Sequence, residues 1–192
     1  MELKDGSEWY LGFEKNKTKK MNNFIPSSYE SLVDDCKAGC RILFDDGKIV
    51  AKGIEKEKDY FKIEVINGGL LKSNKGINLP DIKVSAPSFT DKDREDLLFG
   101  LEQGIDFVAL SFVRSEQDIM AVKYLLHKLK VSIPIVAKIE RPEAVEQIDE
   151  IIDASDIIMV ARGDMGVELG NEKVPSIQKM IISVSKRIPK HN

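Results

Sequence analysis

Charged side chains follow two apolar stretches of this sequence, at the point where each stretch ends. Lys138 and Glu140 come directly after residues 133–137, and Asp164 comes shortly after residues 156–161. Short β-branched runs are typical of buried parallel strands, whose carboxyl ends meet at one edge of a sheet. Alternation along a strand places Lys138 and Glu140 on the same face. Two carboxylates could then hold a divalent cation beside a lysine, an arrangement that suits phosphoryl transfer.

The residues around Asp164 add a feature suited to binding an anion. Gly163 and Gly166 allow close approach of a ligand to the backbone. A helix that begins at Asp164 would direct free N–H groups at that ligand. The structural alternative is a surface ion pair between Lys138 and a carboxylate, together with a glycine turn. A Lys-x-Glu motif alone fits either interpretation, but charged residues at two consecutive strand ends favour the functional one.

These residues belong to a set of short motifs that together resemble the pyruvate kinase family. The motifs have the order and spacing of that family and cover most of the chain from Asn67 onward, whereas residues 1–66 match it only loosely. The matching segments are Lys75 to Pro80, Asp93 to Gly104, Ser111 to Arg114, Lys138 to Glu140, Ala154 to Glu168, and Glu172 to Val174.

The resemblance implies a fragment of a glycolytic kinase that transfers phosphate from phosphoenolpyruvate to ADP, giving pyruvate and ATP. Lys138 would stabilise charge on the phosphoryl group during transfer. Glu140 and Asp164 would hold Mg²⁺ or Mn²⁺. The resemblance also implies that Gly163 and Asp164 bind the substrate through backbone N–H groups. Arg162 and Ser111 would support substrate binding, although a structural role fits each of them equally well.

Two further positions of the resemblance concern the nucleotide. The family position that contacts nucleotide phosphates falls on Lys75, and a carboxylate near the nucleotide metal falls on Asp46. Chemistry alone does not require these roles, because a loop lysine is usually solvated. Asp45 and Asp46 are also common types of hairpin-turn residue.

The periodicity of the chain changes near residue 83. Residues 1–83 contain short β-prone runs at 41–44, 48–52 and 60–65, which predicts a small all-β barrel or sandwich. The resemblance identifies this segment as a mobile lid domain. In residues 84–192 we expect helices over 90–104, 115–130, 142–151 and 172–186, and strands over 105–112, 133–138 and 157–161. The predicted fold class is α/β, a partial TIM barrel of about three βα units preceded by the all-β lid.

Three βα units cannot close an eight-stranded barrel, so we expect the chain to be a piece of the enzyme. In the resembled family, other strands supply an arginine, an asparagine, a catalytic threonine and the K⁺ ligands, so the chain alone is expected to be inactive. The parent enzyme is expected to be a homotetramer, and unpaired strand edges should make the fragment self-associate. The chain departs from the family pattern at Asp81, which affects the lid hinge, and at Ser85, Arg141, Pro142 and Gly170.

Composition excludes several classes of protein. The 192 residues are 42% hydrophobic with a formal net charge of −3, which fits a globular domain and argues against a nucleic-acid-binding surface. No apolar run has the length of a membrane span, and the start lacks the core of a signal peptide, so we expect a cytoplasmic protein. Cys36 and Cys40 lack a second ligand pair, and His127 and His191 are distant, so reduced structural thiols are expected.

Two other functions are consistent with the same residues. A non-catalytic nucleotide-binding or oligomerising module would bind ADP near Lys75 without turnover. A metal-dependent lyase acting on phosphoenolpyruvate or pyruvate could use a similar barrel. Such a lyase would not need a β-domain carrying a phosphate-contacting lysine, which favours the kinase.

Overall fold

The computed structural model describes residues 1–17, 22–80 and 82–187. Asp81, at the expected hinge, and His191 lie outside the described residues. The chain divides into two compact units, Met1–Ala86 and Pro87–Asn192. Its content of helices and strands is mixed α/β.

The first unit is built mainly from short strands. They are β1 (Glu2–Leu3), β2 (Glu8–Phe13), β3 (Phe24–Ser27), β4 (Arg41–Phe44), β5 (Ile49–Lys56), β6 (Phe61–Asn67), β7 (Gly69–Leu70) and β8 (Ile77–Asn78). Six of them form a sheet in the order β3-β2-β6-β5-β4-β8, and β1 pairs with β7. The sequence pattern did not predict the short helix α1 (Leu32–Asp35) or the 3-10 turn Glu14–Asn16.

The core of the first unit follows from alternation along these strands. On β6, Phe61, Ile63 and Val65 are all 0% exposed, whereas Lys62 and Glu64 between them are partly exposed. Successive side chains of a strand point to opposite faces, so one face of the sheet is apolar and the other is charged.

The second unit alternates helices and strands. Its elements are α2 (Asp91–Glu102), β9 (Val108–Leu110), α3 (Glu116–Lys128), β10 (Ile135–Ile139), α4 (Pro142–Glu146), α5 (Ile148–Ala154), β11 (Ile157–Val160), α6 (Arg162–Leu169) and α7 (Val174–Ser185). The three strands form a parallel sheet in the order β11-β10-β9.

The central strand β10 has two different faces. Ile135, Ala137 and Ile139 are 0% exposed and belong to the core that includes residues of the surrounding helices. Lys138 therefore points to the opposite face, where its register partner on β11 is Met159. Met159 is 47% exposed, so apolar surface on this face is open to solvent.

The helices and strands predicted for residues 84–192 are all present, but several of them begin or end at other residues than predicted. Thr90 caps α2 as predicted. The Thr90 N–H donates to the Asp93 carboxylate, and the Asp93 N–H donates to the Thr90 hydroxyl oxygen. The strand predicted over 105–112 is limited to β9, which pairs with β10 and, among the residues that the structure describes, with no other strand. The helix predicted from Pro142 is divided at Gln147, whose backbone is not helical (φ −111°, ψ 33°).

Candidate active site

Lys138 and Glu140 form an ion pair at the carboxyl end of β10. Lys138 Nζ lies 2.8 Å from Glu140 Oε1 and donates a hydrogen bond to Ser111 Oγ at 2.7 Å. The Glu140 side chain is 0% exposed and that of Lys138 is 22% exposed. The pair is therefore not a solvated surface contact. An ammonium group has three donors, so Lys138 can bind an anionic ligand while keeping both contacts.

The second oxygen of Glu140 is held by the segment that follows β9. Glu140 Oε2 accepts a hydrogen bond from the Phe112 N–H at 3.1 Å. Phe112 has a φ of 54°, a left-handed conformation that is rare for a bulky residue. Its carbonyl accepts a hydrogen bond from Ser88 Oγ at 2.9 Å, and Ser88 Oγ accepts one from Arg114 Nε at 3.2 Å. The surrounding contacts thus fix a strained backbone that presents an N–H to the buried carboxylate.

The role of this segment was only partly visible in the sequence. The motif Ser111 to Arg114 indicated a functional role for this segment, and Ser111 does contact Lys138. The backbone contact of Phe112 and the support from Ser88 were missed. Ser88 carries no local signal, because its partners lie 24 and 26 residues further along the chain.

The pairing of β10 with β11 brings α6 to the same edge of the sheet as Glu140. The two strands stay in register up to Ile139 and Val160, and the Ala161 N–H donates to Ile139 O at 3.2 Å. Parallel strands place their carboxyl ends together. Asp164 lies in the first turn of α6, which comes directly after β11, so it is placed at the same edge of the sheet as Glu140.

The first turn of α6 has the properties of an anion-binding helix start. The helix begins at Arg162, two residues before the position expected from the sequence, and its first N–H···O bond joins Met165 to Ala161 at 2.9 Å. The N–H groups of Arg162, Gly163 and Asp164 therefore have no acceptor within the helix and favour negative charge. A cavity of about 450 Å³ adjoins this turn, lined by Arg162, Gly163, Asn171, Val174 and Pro175.

Arg141, a buried residue just beyond Glu140, forms one buried and one partly exposed ion pair. Its Nη1 donates to Glu168 Oε2 at 2.9 Å, and its Nε and Nη2 donate to the two carboxylate oxygens of Glu143 at 3.3 and 3.2 Å. Burial acts to raise the pKa of Glu143, but the hydrogen bonds and charge of Arg141 outweigh it and lower that pKa below its ordinary value. The sequence marks Arg141 only as a departure from the family pattern and carries no signal for either of its partners.

Glu140 and Asp164 have the chemistry of ligands for a hard divalent cation. Glu140 Oε1 is a buried oxygen that, in the described part of the chain, has no partner in hydrogen-bonding geometry, although Lys138 lies beside it. A bound cation would satisfy such an oxygen. No group of three or more His, Cys, Asp or Glu side chains that could hold a metal occurs among the described residues. Water or substrate oxygens would therefore complete the coordination, as is usual for Mg²⁺.

In the first unit, Lys75 pairs with Asp45 at the β4–β5 hairpin. Lys75 Nζ lies 2.7 Å from Asp45 Oδ1, and Lys48 Nζ lies 3.2 Å from Oδ2. The hydrogen bond and charge of Asp45 raise the pKa of Lys75, and the two lysines lower the pKa of Asp45. Asp46, chosen from the sequence, is exposed in the same turn, and its charge adds to the rise for Lys75.

Both cysteines lie in the core of the first unit. Cys36 and Cys40 are buried free thiols, and their mutual hydrogen bond together with burial raises the pKa of Cys36. This agrees with reduced structural cysteines. Within residues 1–17, 22–80 and 82–187, no helix combines the length and apolar character needed to cross a bilayer.

Comparison with known proteins gives matches along nearly the whole chain. The family described as pyruvate kinase, barrel domain, matches residues 1–191. The chain is 45% identical over 185 residues to the pyruvate kinase of Geobacillus stearothermophilus, covering 95% of this chain and 31% of that protein. It is 47% identical over 163 residues to pyruvate kinase 2 of Synechocystis sp., with coverages of 84% and 28%. Identity to the pyruvate kinase of Staphylococcus aureus is 40% over 192 residues, with coverages of 99% and 32%. The chain thus spans about a third of the length of these curated relatives.

Proposed function

The chain belongs to the pyruvate kinase family, and from this premise we propose that it supplies part of an active site that transfers phosphate from phosphoenolpyruvate to ADP. The observation that carries the proposal is the position of Lys138. Its ammonium group is held between Ser111 and the buried Glu140, at the sheet edge that α6 follows. A fixed cation beside the N–H groups of a helix start is suited to a phosphorylated carboxylate substrate.

In the proposed reaction, the bond between phosphorus and the enol oxygen breaks as an ADP oxygen bonds to that phosphorus, and the enolate is then protonated to pyruvate. Lys138 would stabilise the charge on the transferring group. Gly163 and Asp164 would bind the substrate through backbone N–H groups, with Arg162 in support. Ser111 would keep the Lys138 ammonium in place.

The residues that would hold a divalent cation are Glu140 and Asp164. When bound, Mg²⁺ or Mn²⁺ would neutralise charge on substrate oxygens. The Phe112 N–H would orient the Glu140 carboxylate through its other oxygen, since that hydrogen bond already fixes the Oε2 atom.

We assign residues 1–83 to the mobile lid of the family and residues 84–192 to part of its (β/α)8 barrel. The mainly β composition of the first unit, the parallel sheet of the second and the division at Ala86 and Pro87 support this assignment. Lys75 would contact ADP phosphates, with Asp46 near the nucleotide metal. Nucleotide phosphates would have to compete with Asp45 for Lys75, because that ion pair is already formed.

The remaining parts of the proposal concern the whole enzyme. By analogy with the family, the complete enzyme would be a K⁺-dependent cytoplasmic homotetramer, with K⁺ ligands contributed by other strands. The buried free thiols of Cys36 and Cys40 are consistent with a reducing compartment. This chain alone would lack the residues needed for turnover.

The test compares Lys138→Ala with Lys75→Ala in a full-length protein that contains this chain. Loss of Lys138 should lower kcat by about a hundredfold to a thousandfold, because it removes stabilisation that is largest in the transition state. Loss of Lys75 should mainly raise KM for ADP, because its contact is made before and during transfer. Lys179→Ala, at an exposed position on α7, is the matched control and should leave both constants unchanged.

The 192-residue chain should be assayed in parallel with phosphoenolpyruvate, ADP, Mg²⁺ and K⁺, following pyruvate. No turnover is expected from it. Turnover in the full-length protein that does not respond to Lys138→Ala would refute the assigned site. Turnover by the short chain would refute only the claim that it is incomplete.

A further inference from the structure

The buried ion pair between Arg141 and Glu168 joins the two segments that carry the candidate metal ligands. Arg141 directly follows Glu140 at the end of β10, and Glu168 lies on α6, the helix that begins with Arg162, Gly163 and Asp164. We propose that Arg141 is a positioning residue that fixes the orientation of Asp164 relative to Glu140 by binding Glu168. This inference rests on the proposed function, because it assumes that the two carboxylates act together.

One end of this connection is anchored by the start of α4. The Arg141 carbonyl accepts hydrogen bonds from the N–H groups of Ala144 and Val145 at 3.2 and 3.3 Å. Its guanidinium group binds both oxygens of Glu143, in the first turn of the same helix. A two-point contact of this kind fixes the plane of the guanidinium as well as its position. The Nη1 atom that reaches Glu168 is therefore held in one direction.

The other end controls the rotation of α6. Asp164 and Glu168 are four residues apart, so they lie on one face of the helix, separated by roughly 6 Å along its axis. Each residue of a helix turns the side-chain direction by about 100°. A contact that holds Glu168 against Arg141 therefore also limits the directions in which Asp164 can point.

Burial explains why an ion pair, and not an apolar contact, suits this role. The Arg141 and Glu168 side chains are 7% and 1% exposed. Apolar residues of similar volume often give equal or greater stability than a buried ion pair. What the charges add is selectivity, because neither group is satisfied by any nearby apolar surface. The pair thus selects one rotation of α6 about its axis and one position along that axis.

The test separates this role from a contribution to stability alone. The double variant Arg141→Met/Glu168→Met removes both charges of this pair together, so the buried Glu168 carboxylate is not left without its counter-ion. Glu143 also loses Arg141, but its side chain is 21% exposed and can reach water. Its Mn²⁺ affinity is measured on the 192-residue chain by EPR, which reports the concentration of free Mn²⁺ and therefore detects weak binding. Thermal unfolding of the same samples reports stability. Loss of residues that orient metal ligands typically weakens metal binding by about tenfold to a hundredfold. We expect a loss of about tenfold with the folded state retained.

Three further variants make the result decisive. Glu140→Gln tests the metal site itself and should weaken Mn²⁺ binding at least as much as the double variant. Arg141→Lys keeps the charge but loses the two-point contact with Glu143, so an intermediate affinity is expected, and this variant decides the question if the double variant does not fold. Arg187→Met removes an exposed arginine beyond the end of α7 and should bind Mn²⁺ as the unaltered chain does.

The outcomes distinguish the inference from the function on which it rests. If the unaltered chain binds no Mn²⁺, or if Glu140→Gln has no effect, the proposed metal site is wrong and the positioning role is wrong with it. If Glu140→Gln weakens binding while Arg141→Lys and the folded double variant bind normally, the metal site stands and the positioning role is refuted. A loss of stability with unchanged affinity would likewise assign Arg141 a purely structural role.

Discussion

Replacing Lys138 by methionine should destabilise the chain several times more than replacing Glu140 by glutamine. Methionine preserves much of the side-chain volume but leaves the Glu140 carboxylate, which is 0% exposed, without its counter-ion. Removing one partner of a buried ion pair costs about 3–5 kcal/mol. Glutamine keeps an oxygen for the Phe112 N–H, and the remaining lysine is 22% exposed, so its ammonium can reach water. Loss of that interaction should cost about 1–1.5 kcal/mol.

The assay is urea unfolding followed by far-UV circular dichroism at neutral pH. The double variant Lys138→Met/Glu140→Gln should cost less than the sum of the two single changes, because it removes both charges together. Lys179→Met serves as the control for loss of an exposed lysine and should leave the unfolding midpoint unchanged. Equal costs for the two single variants, or additive costs in the double variant, would refute the claim that burial of Glu140 dominates the pair.

Three other predictions concern stability and association. The pKa of Glu143 is lowered in the folded chain, so its ion pair stabilises above the ordinary pKa and this stability is lost as the pH falls through the lowered value. The drop in unfolding free energy between about pH 5 and about pH 3 should therefore be smaller in Glu143→Gln, and an unchanged drop would contradict this. A methyl group added by Gly53→Ala would overlap the ring of Phe61 and should lower the free energy of unfolding in urea by about 1–3 kcal/mol. The control Gly76→Ala meets no atom within 4 Å and should leave that free energy nearly unchanged. Similar losses in the two variants would contradict this packing. The 192-residue chain should self-associate in sedimentation experiments, because the sheet face that carries Met159 exposes apolar surface. Met159→Lys should reduce the association. A stable monomer of the unaltered chain would exclude association through this face.

The features that the sequence determined are those that depend on neighbouring residues. Alternation along a strand put Lys138 and Glu140 on one face, and their side chains do meet at 2.8 Å. The spacing of Thr90 and Asp93 identified the start of α2, because a capping box closes within four residues. The motif order indicated the pyruvate kinase family, and the family match over residues 1–191 confirms that resemblance. Local pattern was sufficient for each of these inferences.

Side-chain pairing between distant segments was decided only by the tertiary structure. Lys138 binds Ser111 and Arg141 binds Glu168, in each case across 27 residues of sequence. Such contacts depend on strand register and on the rotation of helices, neither of which a local periodicity fixes. The choice of Asp45 as the partner of Lys75 has the same origin. Adjacent aspartates of a turn point in different directions, and the left-handed backbone of the folded hairpin determines which one meets the lysine.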